Sequence, residues 1–356
     1  MAKRYLGLIS EDEDVACTII ATGQRCGLQV VLRRDRVLVL ASETEHAGDP
    51  ESRRVAILGQ AFARDGRRHA LLPDDASLAD IWGAYVAVGT DSRGFDYVVR
   101  DPSAAMPCYY ARRGNGVVFA SDVDLLVAAS AIAPAVNWEN LGWHIALPGF
   151  HSDHTCLDGV FELPRGCDLR FAEGGPRIER RWSPWKFAND PLELGDAELA
   201  EMLHETVCRC VASWSACFNR VALTVSGGLD SSVVAAALPE QSRNCVCITF
   251  VTDDSRGDER HYVRLLADAL GLEVIECAFN VDRYDLACAI TPYLPRPIGN
   301  PNAQLSIPMM WDSLETHSCS AVFNGGGGDN VFCSQRSIRP LVDRIPTDLL
   351  GGAQKL

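Results

Sequence analysis

The chain has 356 residues, of which 47% are hydrophobic and 22% are charged, and its formal net charge at pH 7 is −14. This composition is ordinary for a globular protein and leaves room for about two domains. The acidic balance argues against nucleic acid as the main partner, because nucleic-acid-binding surfaces are basic. No run of about 18 apolar residues occurs, so no membrane span is expected. The apolar run near the N-terminus is too short to predict a signal peptide.

The sequence contains 14 cysteines but no Cys-x-x-Cys pair, so a zinc site is not predicted. Disulfides are rare in the reducing cytoplasm, where cysteine often serves as a small buried residue. We therefore predict a cytoplasmic protein in which most cysteines are buried.

Residues 1–188 are predicted to form a β-rich domain. Runs of β-branched and aromatic residues alternate with turn residues that accept positive φ. The predicted strands cover residues 27–32, 36–40, 55–62, 84–89, 95–100, 108–112 and 117–121. A helix with Ser121 as its N-cap and a second helix over 137–147 are also predicted.

Residues 189–356 are predicted to form a second domain, after an irregular crossing rich in Trp and Pro. Here nearly continuous apolar strands alternate with helical patterns, which indicates a parallel sheet with helices on both faces. The predicted strands are 221–225, 245–251, 272–277 and 320–324, and the predicted helices are 198–218, 231–238, 258–270, 282–294 and 304–317.

The most informative stretch runs from Val221 to Ser232 and reads Val-Ala-Leu-Thr-Val-Ser-Gly-Gly-Leu-Asp-Ser-Ser. A strand followed by a glycine loop and a helix start is suited to polyphosphate. The glycines let the backbone approach an anion, and the first N–H groups of the helix point towards it. The serines add hydroxyl donors. No lysine is present, so this is not a Walker A loop.

A second glycine run, Gly325–Gly328, follows another predicted strand and precedes Asp329. Ligands bind at the carboxyl ends of parallel strands, so we expect both loops to form one nucleotide site. The predicted nucleotide contacts are Ser226, Gly227, Gly228, Asp230, Ser231, Ser232 and Gly325. Asp230 is predicted as a Mg²⁺ ligand, because the metal can bridge its carboxylate to phosphate oxygens. By itself, Asp329 after the glycine run can be an ordinary turn residue, and Asp258 and Glu259 are interpreted as a helix N-terminus.

Ser226–Ser232 resembles the pyrophosphate loop of the ATP pyrophosphatases. Other segments resemble the asparagine synthetase family in order and spacing: Arg100-Asp101-Pro-Ser-Ala-Ala-Met-Pro-Cys-Tyr-Tyr110, Phe119-Ala-Ser121, Phe161-Glu-Leu-Pro-Arg-Gly166, Gly257–Arg260 and Asn324–Phe332. The resemblance implies an α/β protein with two parts. The first is a glutaminase-like sandwich of the Ntn type, and the second is an incomplete ATP-pyrophosphatase domain like the adenine nucleotide alpha hydrolases.

Three departures from the family pattern narrow this interpretation. Glutamine-hydrolysing members use a cysteine at position 2 as nucleophile, whereas this chain has Ala2. Gly326 stands where asparagine synthetase has a glutamate. The lasso-peptide macrolactam synthetases (cyclases) share both features, so the chain resembles that branch most. It ends at Leu356, before the position where that branch has a catalytic lysine, so we expect a C-terminally short form.

The resemblance implies that ATP and Mg²⁺ are used to adenylate a carboxylate, which an amine then converts to an amide. It also implies that Asp230 and Asp329 are catalytic residues and that both bind Mg²⁺. In the macrolactam branch both groups belong to a precursor peptide, and a leader-processing protease would be a partner. Two alternatives stay open at this point: an asparagine synthetase, and a truncated homologue that binds nucleotide or peptide without turnover. Arg100 and Asp101 are interpreted as a structural pair, because glutamine chemistry is not expected.

Overall fold

The computed structural model describes residues 4–42, 54–68, 80–130, 132–147, 152–172, 175–239, 245–251, 257–278, 282, 288–291, 294–298 and 303–331. The chain divides into two compact units. Unit one holds Met1–Leu199 and Tyr284–Ser306, and unit two holds Ala200–Arg283 and Ile307–Leu356. The domain boundary expected between residues 188 and 189 stays a prediction. No helix among the described residues combines the length and apolar character needed to cross a membrane.

Unit one contains two antiparallel sheets in its described residues. The first has the strand order β2-β3-β1-β8-β7-β9, with β1 (Tyr5–Ile9), β2 (Gln29–Arg34), β3 (Val37–Ala41), β7 (Tyr109–Arg113), β8 (Gly116–Ala120) and β9 (Phe161–Glu162). The second has the order β11-β10-β6-β5-β4, with β4 (Val55–Ala63), β5 (Ile81–Thr90), β6 (Asp96–Arg100), β10 (Cys167–Ala172) and β11 (Gly175–Arg180). The predicted strands 84–89 and 95–100 pair as the hairpin β5–β6, and the predicted strands 108–112 and 117–121 pair as the hairpin β7–β8.

Side-chain alternation along the strands of the first sheet builds two cores. One face contributes Tyr5, Val39 and Phe119 to a cluster shared with Val86 and Val98 of the second sheet. The other face packs against two helices, α1 (Glu13–Arg25) and α2 (Val123–Ser130), through a cluster that includes Leu8, Leu40, Ile19 and Leu125. Each buried side chain of this size stabilises the fold by roughly 1.5–3 kcal/mol. Two further helices, α3 (Trp138–Ala146) and α4 (Trp185–Ala188), complete the described helices that lie wholly in unit one.

The sequence analysis missed β1 and α1 and misassigned Ser121. Asp12, in an acidic run, is the N-cap of α1 and accepts hydrogen bonds from the backbone N–H groups of Asp14 and Val15. The Ser121 hydroxyl accepts a hydrogen bond from the Tyr5 N–H at 3.0 Å. Ser121 therefore fixes the pairing of β8 with β1 instead of capping a helix.

Ala104 adopts a left-handed backbone conformation with φ of 56°, which costs an L-residue about 1–2 kcal/mol. Its carbonyl accepts a hydrogen bond from Arg100 at 2.9 Å, and its N–H donates to Asp101 at 3.0 Å. We expect Ala104→Gly to raise the free energy of unfolding by about 0.5–1 kcal/mol, after the greater freedom of glycine in the unfolded chain is subtracted.

The matched control for this substitution is Gly114→Ala, because Gly114 has φ of 57° and open space where a Cβ would lie. It should lower the free energy of unfolding by about 1 kcal/mol. Urea denaturation of the two variants measures both values. If Ala104→Gly also destabilises, the hydrogen bonds of this turn depend on the alanine and the strain argument is wrong.

Unit two contains a parallel sheet of strand order β14-β13-β12-β15, with β12 (Val221–Thr224), β13 (Cys245–Val251), β14 (Glu273–Ala278) and β15 (Ala321–Asn324). The remaining helices are α5 (Asp196–Ser215), α6 (Leu229–Ala236), α7 (Arg260–Leu270), α8 (Ala303–Thr316) and α9 (Gly328–Val331). Helices α5 and α8 each cross the limit between the two units.

Helices cover both faces of the parallel sheet, as predicted. Leu223 and Cys247 point to a cluster that includes Val211 of α5, Ala235 of α6 and Val263 of α7. Their neighbours on the opposite face, such as Ala222 and Ile248, lie in a cluster with Leu314 of α8. The helix predicted over 282–294 is wrong where it can be checked, because residues 288–291 and 294 are not helical. Its other residues, apart from Asp282, lie outside the described part of the chain.

The described cysteines form no disulfides. Five are buried, five are partly buried and three, Cys17, Cys26 and Cys288, are exposed, so the prediction that most cysteines are buried is wrong for the described residues. Burial raises the pKa of Cys108 to about 11 and that of Cys247 to about 12, so these two thiols are protonated and unreactive at neutral pH.

Candidate functional site

The two glycine loops leave neighbouring strands at the same edge of the parallel sheet. β12 and β15 run side by side, with Thr224 opposite Asn324 at their carboxyl ends. The loop after β12 leads into α6, and the loop after β15 leads into α9. The topology therefore brings together the two segments that the sequence predicted to share a site.

The first loop holds its shape through its own serines. The Ser226 hydroxyl accepts a hydrogen bond from the Gly228 N–H at 3.2 Å, and the Ser231 hydroxyl accepts one from the Ser226 N–H at 3.2 Å. The Ser232 hydroxyl donates to the Gly228 carbonyl at 2.8 Å. Ser231 is buried, so its first role is to fold the loop. Ser226 is exposed and Ser232 is partly exposed.

The N-terminus of α6 lacks a side-chain cap. Gly228 is the N-cap residue, has extended backbone angles (φ −81°, ψ 162°), and provides no side-chain cap. The first N–H groups of a helix have no partner within the helix and carry its positive dipole end. A phosphate group is a suitable partner for such an end.

Gly227 also has a packing role, which the sequence analysis did not predict. Neither Gly227 nor Gly228 has positive φ. A Cβ at Gly227 would lie 3.1 Å from Cδ2 of Tyr262 and 3.2 Å from its Cβ, which is a tight contact. Glycine at this position lets Tyr262 of α7 lie against the loop. The sequence analysis did not identify Tyr262, because the contact joins two segments of the chain.

The second loop lies directly against the start of α6. A Cβ at Gly325 would come within 2.5 Å of the Ser231 nitrogen, and a Cβ at Gly328 within 2.1 Å of Oδ2 of Asp230. Both distances are shorter than any normal contact, so the two loops meet only because these residues are glycines. Gly328 is a site residue that the sequence analysis missed, although its place in the glycine run was a signal.

The two predicted Mg²⁺ ligands each lie at the start of a helix that follows a glycine loop. Asp230 lies in the first turn of α6, is partly buried, and has its carboxylate against Gly328. Asp329 lies in the first turn of α9 and is exposed. Their oxygens suit Mg²⁺, which takes one or two protein carboxylates together with phosphate oxygens. In the described part of the chain, no group of three or more His, Cys, Asp or Glu side chains could hold a metal.

The acidic start of α7 is structural, in line with the interpretation from sequence. The Asp258 carboxylate accepts hydrogen bonds from Nε of Arg260 at 2.8 Å and from Nη2 at 2.7 Å. These side-chain hydrogen bonds are the largest cause, and the hydrogen bond from the Arg260 N–H is the next, of the lowering of the pKa of Asp258 to about 2. Arg260 also pairs with Glu276 at 3.5 Å. A carboxylate engaged in this way is a poor general base at neutral pH.

Arg100 and Asp101 are both buried in unit one, but they do not pair with each other as interpreted from the sequence. Arg100 donates to the carbonyl of Met106 at 2.9 Å and to Glu162 at 2.7 Å. Asp101 accepts hydrogen bonds from the N–H groups of Tyr85 at 3.1 Å and Ser103 at 2.7 Å. Each residue therefore supports backbone near the β6–β7 connection. Ala2 lies outside the described residues.

Comparison with known families finds a match that covers both loops. Residues 198–347 match the family model for asparagine synthase. This segment includes both glycine loops, and the match supports the resemblance to the asparagine synthetase family. No curated protein matches the sequence.

Two solved structures are similar over much of the chain. One is a glutamine phosphoribosylpyrophosphate amidotransferase from B. subtilis complexed with ADP and GMP. It has a TM-score of 0.30 and 11% identity, and the match covers 77% of this chain and 65% of that one. The other is an allosteric regulatory enzyme of purine biosynthesis, with a TM-score of 0.31, 11% identity, and coverage of 90% and 89%. The chain spans less than two thirds of the first structure, and at these TM-scores neither match supports a functional inference.

Proposed function

We propose that this protein is an ATP-dependent ligase that adenylates a carboxylate, releases pyrophosphate, and passes the acyl group to an amine to form an amide. The observation that carries the proposal is the junction of the two glycine loops. Gly325 lies against the Ser231 nitrogen and Gly328 against the Asp230 carboxylate, at the carboxyl edge of a parallel sheet. The match of residues 198–347 to the asparagine synthase family supports the same reaction class.

The chain's own groups would contribute positioning and charge stabilisation. The N-terminus of α6 would hold the pyrophosphate portion of ATP, with Ser226, Gly227, Gly228, Ser231, Ser232 and Gly325 around it. Asp230 and Asp329 would hold Mg²⁺, which supplies neutralisation of phosphate charge when it is bound. The substrate carboxylate oxygen attacks the α-phosphorus and the bond to the pyrophosphate oxygen breaks. The amine then displaces AMP and loses a proton.

The finer proposal is macrolactam closure of a lasso precursor peptide, in which one peptide supplies both the carboxylate and the amine. Gly326 supports this choice over asparagine synthesis, because glycine offers no carboxylate to steer or deprotonate a small amine. A leader-processing protease as partner and a cytoplasmic location belong to the same proposal.

The test is to incubate the full chain with ATP, Mg²⁺ and two acceptor sets, and to measure AMP and pyrophosphate. One set is aspartate with ammonia. The other is a series of synthetic peptides with a free N-terminus and an internal Asp or Glu. AMP formation together with loss of 18 Da from a peptide supports macrolactam closure.

Each other outcome has a defined meaning. AMP with aspartate and ammonia alone indicates an asparagine synthetase. Measurable ATP binding without AMP in any mixture would leave a nucleotide-binding protein without ligase activity and would overturn the proposal.

A further inference from the structure

Gly227 differs from its neighbours in the first glycine loop in the way it is held. The Ser226 N–H donates to the Ser231 hydroxyl at 3.2 Å, and the Gly228 N–H donates to the Ser226 hydroxyl at 3.2 Å. In the part of the chain that the structure describes, neither the N–H nor the carbonyl of Gly227 makes a hydrogen bond. Glycine also has more backbone freedom than any other residue. The conformation of the loop at Gly227 therefore depends on packing.

Gly227 packs against the start of α7. A Cβ at Gly227 would lie 3.1 Å from Cδ2 of Tyr262, 3.2 Å from its Cβ and 3.4 Å from Cβ of Glu259. No side chain therefore fits between Gly227 and this helix. Two of the three atoms are Cβ atoms, whose positions follow from the helix backbone and not from a rotamer. The third belongs to the Tyr262 ring, so a substitution of Tyr262 by alanine removes the ring contact and keeps the two Cβ contacts.

Helix α7 is a firm support for this contact. Val263 is fully buried and belongs to the same cluster as Val225, which ends the strand segment that leads into the loop. Arg260 ties the first turn of the helix to Glu276 of β14 at 3.5 Å. Tyr262 directly precedes Val263. The residue beside the loop and the strand before the loop are therefore fixed to one core.

The Tyr262 ring itself adds little to that core. Tyr262 is 61% exposed, and among the described residues its hydroxyl makes no hydrogen bond. A further ring contact joins it to His261, with 5.5 Å between the ring centroids. A side chain that buries so little apolar surface contributes little to the free energy of unfolding. Loss of the ring should therefore affect the loop and leave the fold unchanged.

We propose that Tyr262 is a positioning residue for the bound nucleotide: its ring holds the backbone at Gly227 in one conformation, so that the loop is already ordered when phosphate binds. This inference rests on the proposed function, which supplies the phosphate groups as the ligand. Without the ring, the conformational entropy of the Gly227 backbone would be lost at the moment of binding, and this loss would weaken the affinity.

The first experiment measures the affinity of the full chain for α,β-methylene-ATP with Mg²⁺ by isothermal titration calorimetry. A methylene group replaces the oxygen between the α- and β-phosphorus atoms of this analogue, so it binds without being cleaved. We expect Tyr262→Ala to weaken binding by about tenfold, which is the cost of ordering the backbone of one residue. Unchanged affinity in Tyr262→Ala would refute the inference.

The conservative variant Tyr262→Phe separates the ring from the hydroxyl. Phenylalanine keeps the ring that lies against Gly227. Its affinity for the analogue should stay within about twofold of wild type, because a change away from the contacting atoms has a small effect. If Tyr262→Phe binds as weakly as Tyr262→Ala, the hydroxyl carries the effect and the inference is wrong.

The second experiment is a double-mutant cycle with Gly227→Ala. This single change should weaken binding by about tenfold, because the new methyl group presses on Tyr262 and displaces the loop. If both residues act through one contact, the double variant binds about as well as Gly227→Ala alone, since the ring to be displaced is gone. Independent effects would multiply to about 100-fold, and that result would overturn the inference.

The matched control is Leu265→Ala, which removes another exposed apolar side chain from α7. It should leave the affinity within about twofold of wild type. Hydrogen exchange without nucleotide adds a readout that a purely structural role would not give. In Tyr262→Ala, a peptide covering 222–232 should exchange faster, whereas a peptide covering 245–251 should keep the wild-type rate. Faster exchange in both peptides would make Tyr262 a support of the sheet and exclude the positioning role.

AMP formation from ATP separates this inference from the proposed function. If the wild-type chain forms AMP but Tyr262→Ala binds the analogue as tightly as wild type, only the inference fails. If the wild-type chain binds the analogue and shows the expected cycle but forms no AMP with any acceptor, only the proposed function fails. A wild-type chain that binds neither the analogue nor pyrophosphate would refute both.

Discussion

Exchange of Asp230 for asparagine is expected to lower the rate of pyrophosphate release by about 10²–10³-fold. The carboxylate of Asp230 lies at the start of α6, against Gly328, and the amide keeps its shape while removing its charge. Loss of one preorganised charged group from a site that stabilises phosphate charge has an effect of this size. The measurement is coupled detection of pyrophosphate with the best acceptor found for the wild-type chain.

The control for Asp230→Asn is Asp268→Asn, an equally conservative change at an exposed position on α7. It should leave the rate within about twofold of wild type, since exposed polar substitutions have small effects. A second readout is the Mg²⁺ dependence of the rate, which should shift to higher concentration in Asp230→Asn. Equal rates in the two variants would remove Asp230 from the site.

Gly325→Ala is expected to reduce pyrophosphate release by at least about 100-fold. The new methyl group would lie 2.5 Å from the Ser231 nitrogen and 2.8 Å from the carbonyl carbon of Asp230. Both are backbone atoms, so neither can move aside by a rotamer change. The second loop must separate from the start of α6, and a displacement of about 1 Å in a catalytic site costs on the order of 100-fold.

The matched control is Gly195→Ala, because Gly195 precedes α5 and its Cβ would meet only a Glu198 carboxylate oxygen at 3.7 Å. It should change neither rate nor thermal stability. Circular dichroism and the melting temperature of Gly325→Ala show whether the fold is retained. A folded Gly325→Ala protein with wild-type activity would show that the two loops do not act together.

The parallel-sheet half of the fold is predictable because its signals are local. The strand from Val221, the glycines after it and the apolar spacing in α7 each lie within a short stretch, and the structure confirms the parallel sheet with helices on both faces. The closing position of α7 is equally local: Gly271 has φ of 67°, the left-handed conformation that glycine favours at a helix end.

The errors arose where the deciding contact lies far away in the sequence. Ser121 has the pattern of an N-cap, yet its hydroxyl bonds to Tyr5, 116 positions earlier. The acidic run around residue 12 was not recognised as a helix start, although it contains Asp12, the N-cap of α1.

The residues of the candidate site also fall into two groups: those predictable from nearby sequence and those whose contacts depend on the fold. Asp230 and the serines could be named from residue type and spacing, because a strand, a glycine loop and a helix start form a local anion site. The glycine run pointed to the second loop as a whole, but the contact of Gly328 with Asp230 could not be predicted, because it exists only once β12 and β15 are neighbours. The role of Asp329 as a Mg²⁺ ligand stays a prediction.

The ion pair between Glu162 and Arg296, whose partners are 134 positions apart, has a consequence for biosynthesis. Domains generally fold from the N-terminus as they leave the ribosome, at roughly 5–20 residues per second. Glu162 would therefore emerge about 7–27 s before its second arginine partner. During that interval the nascent β-sandwich lacks Arg296. The contacts around Glu162 can therefore be completed only after most of the second half of the protein has been translated.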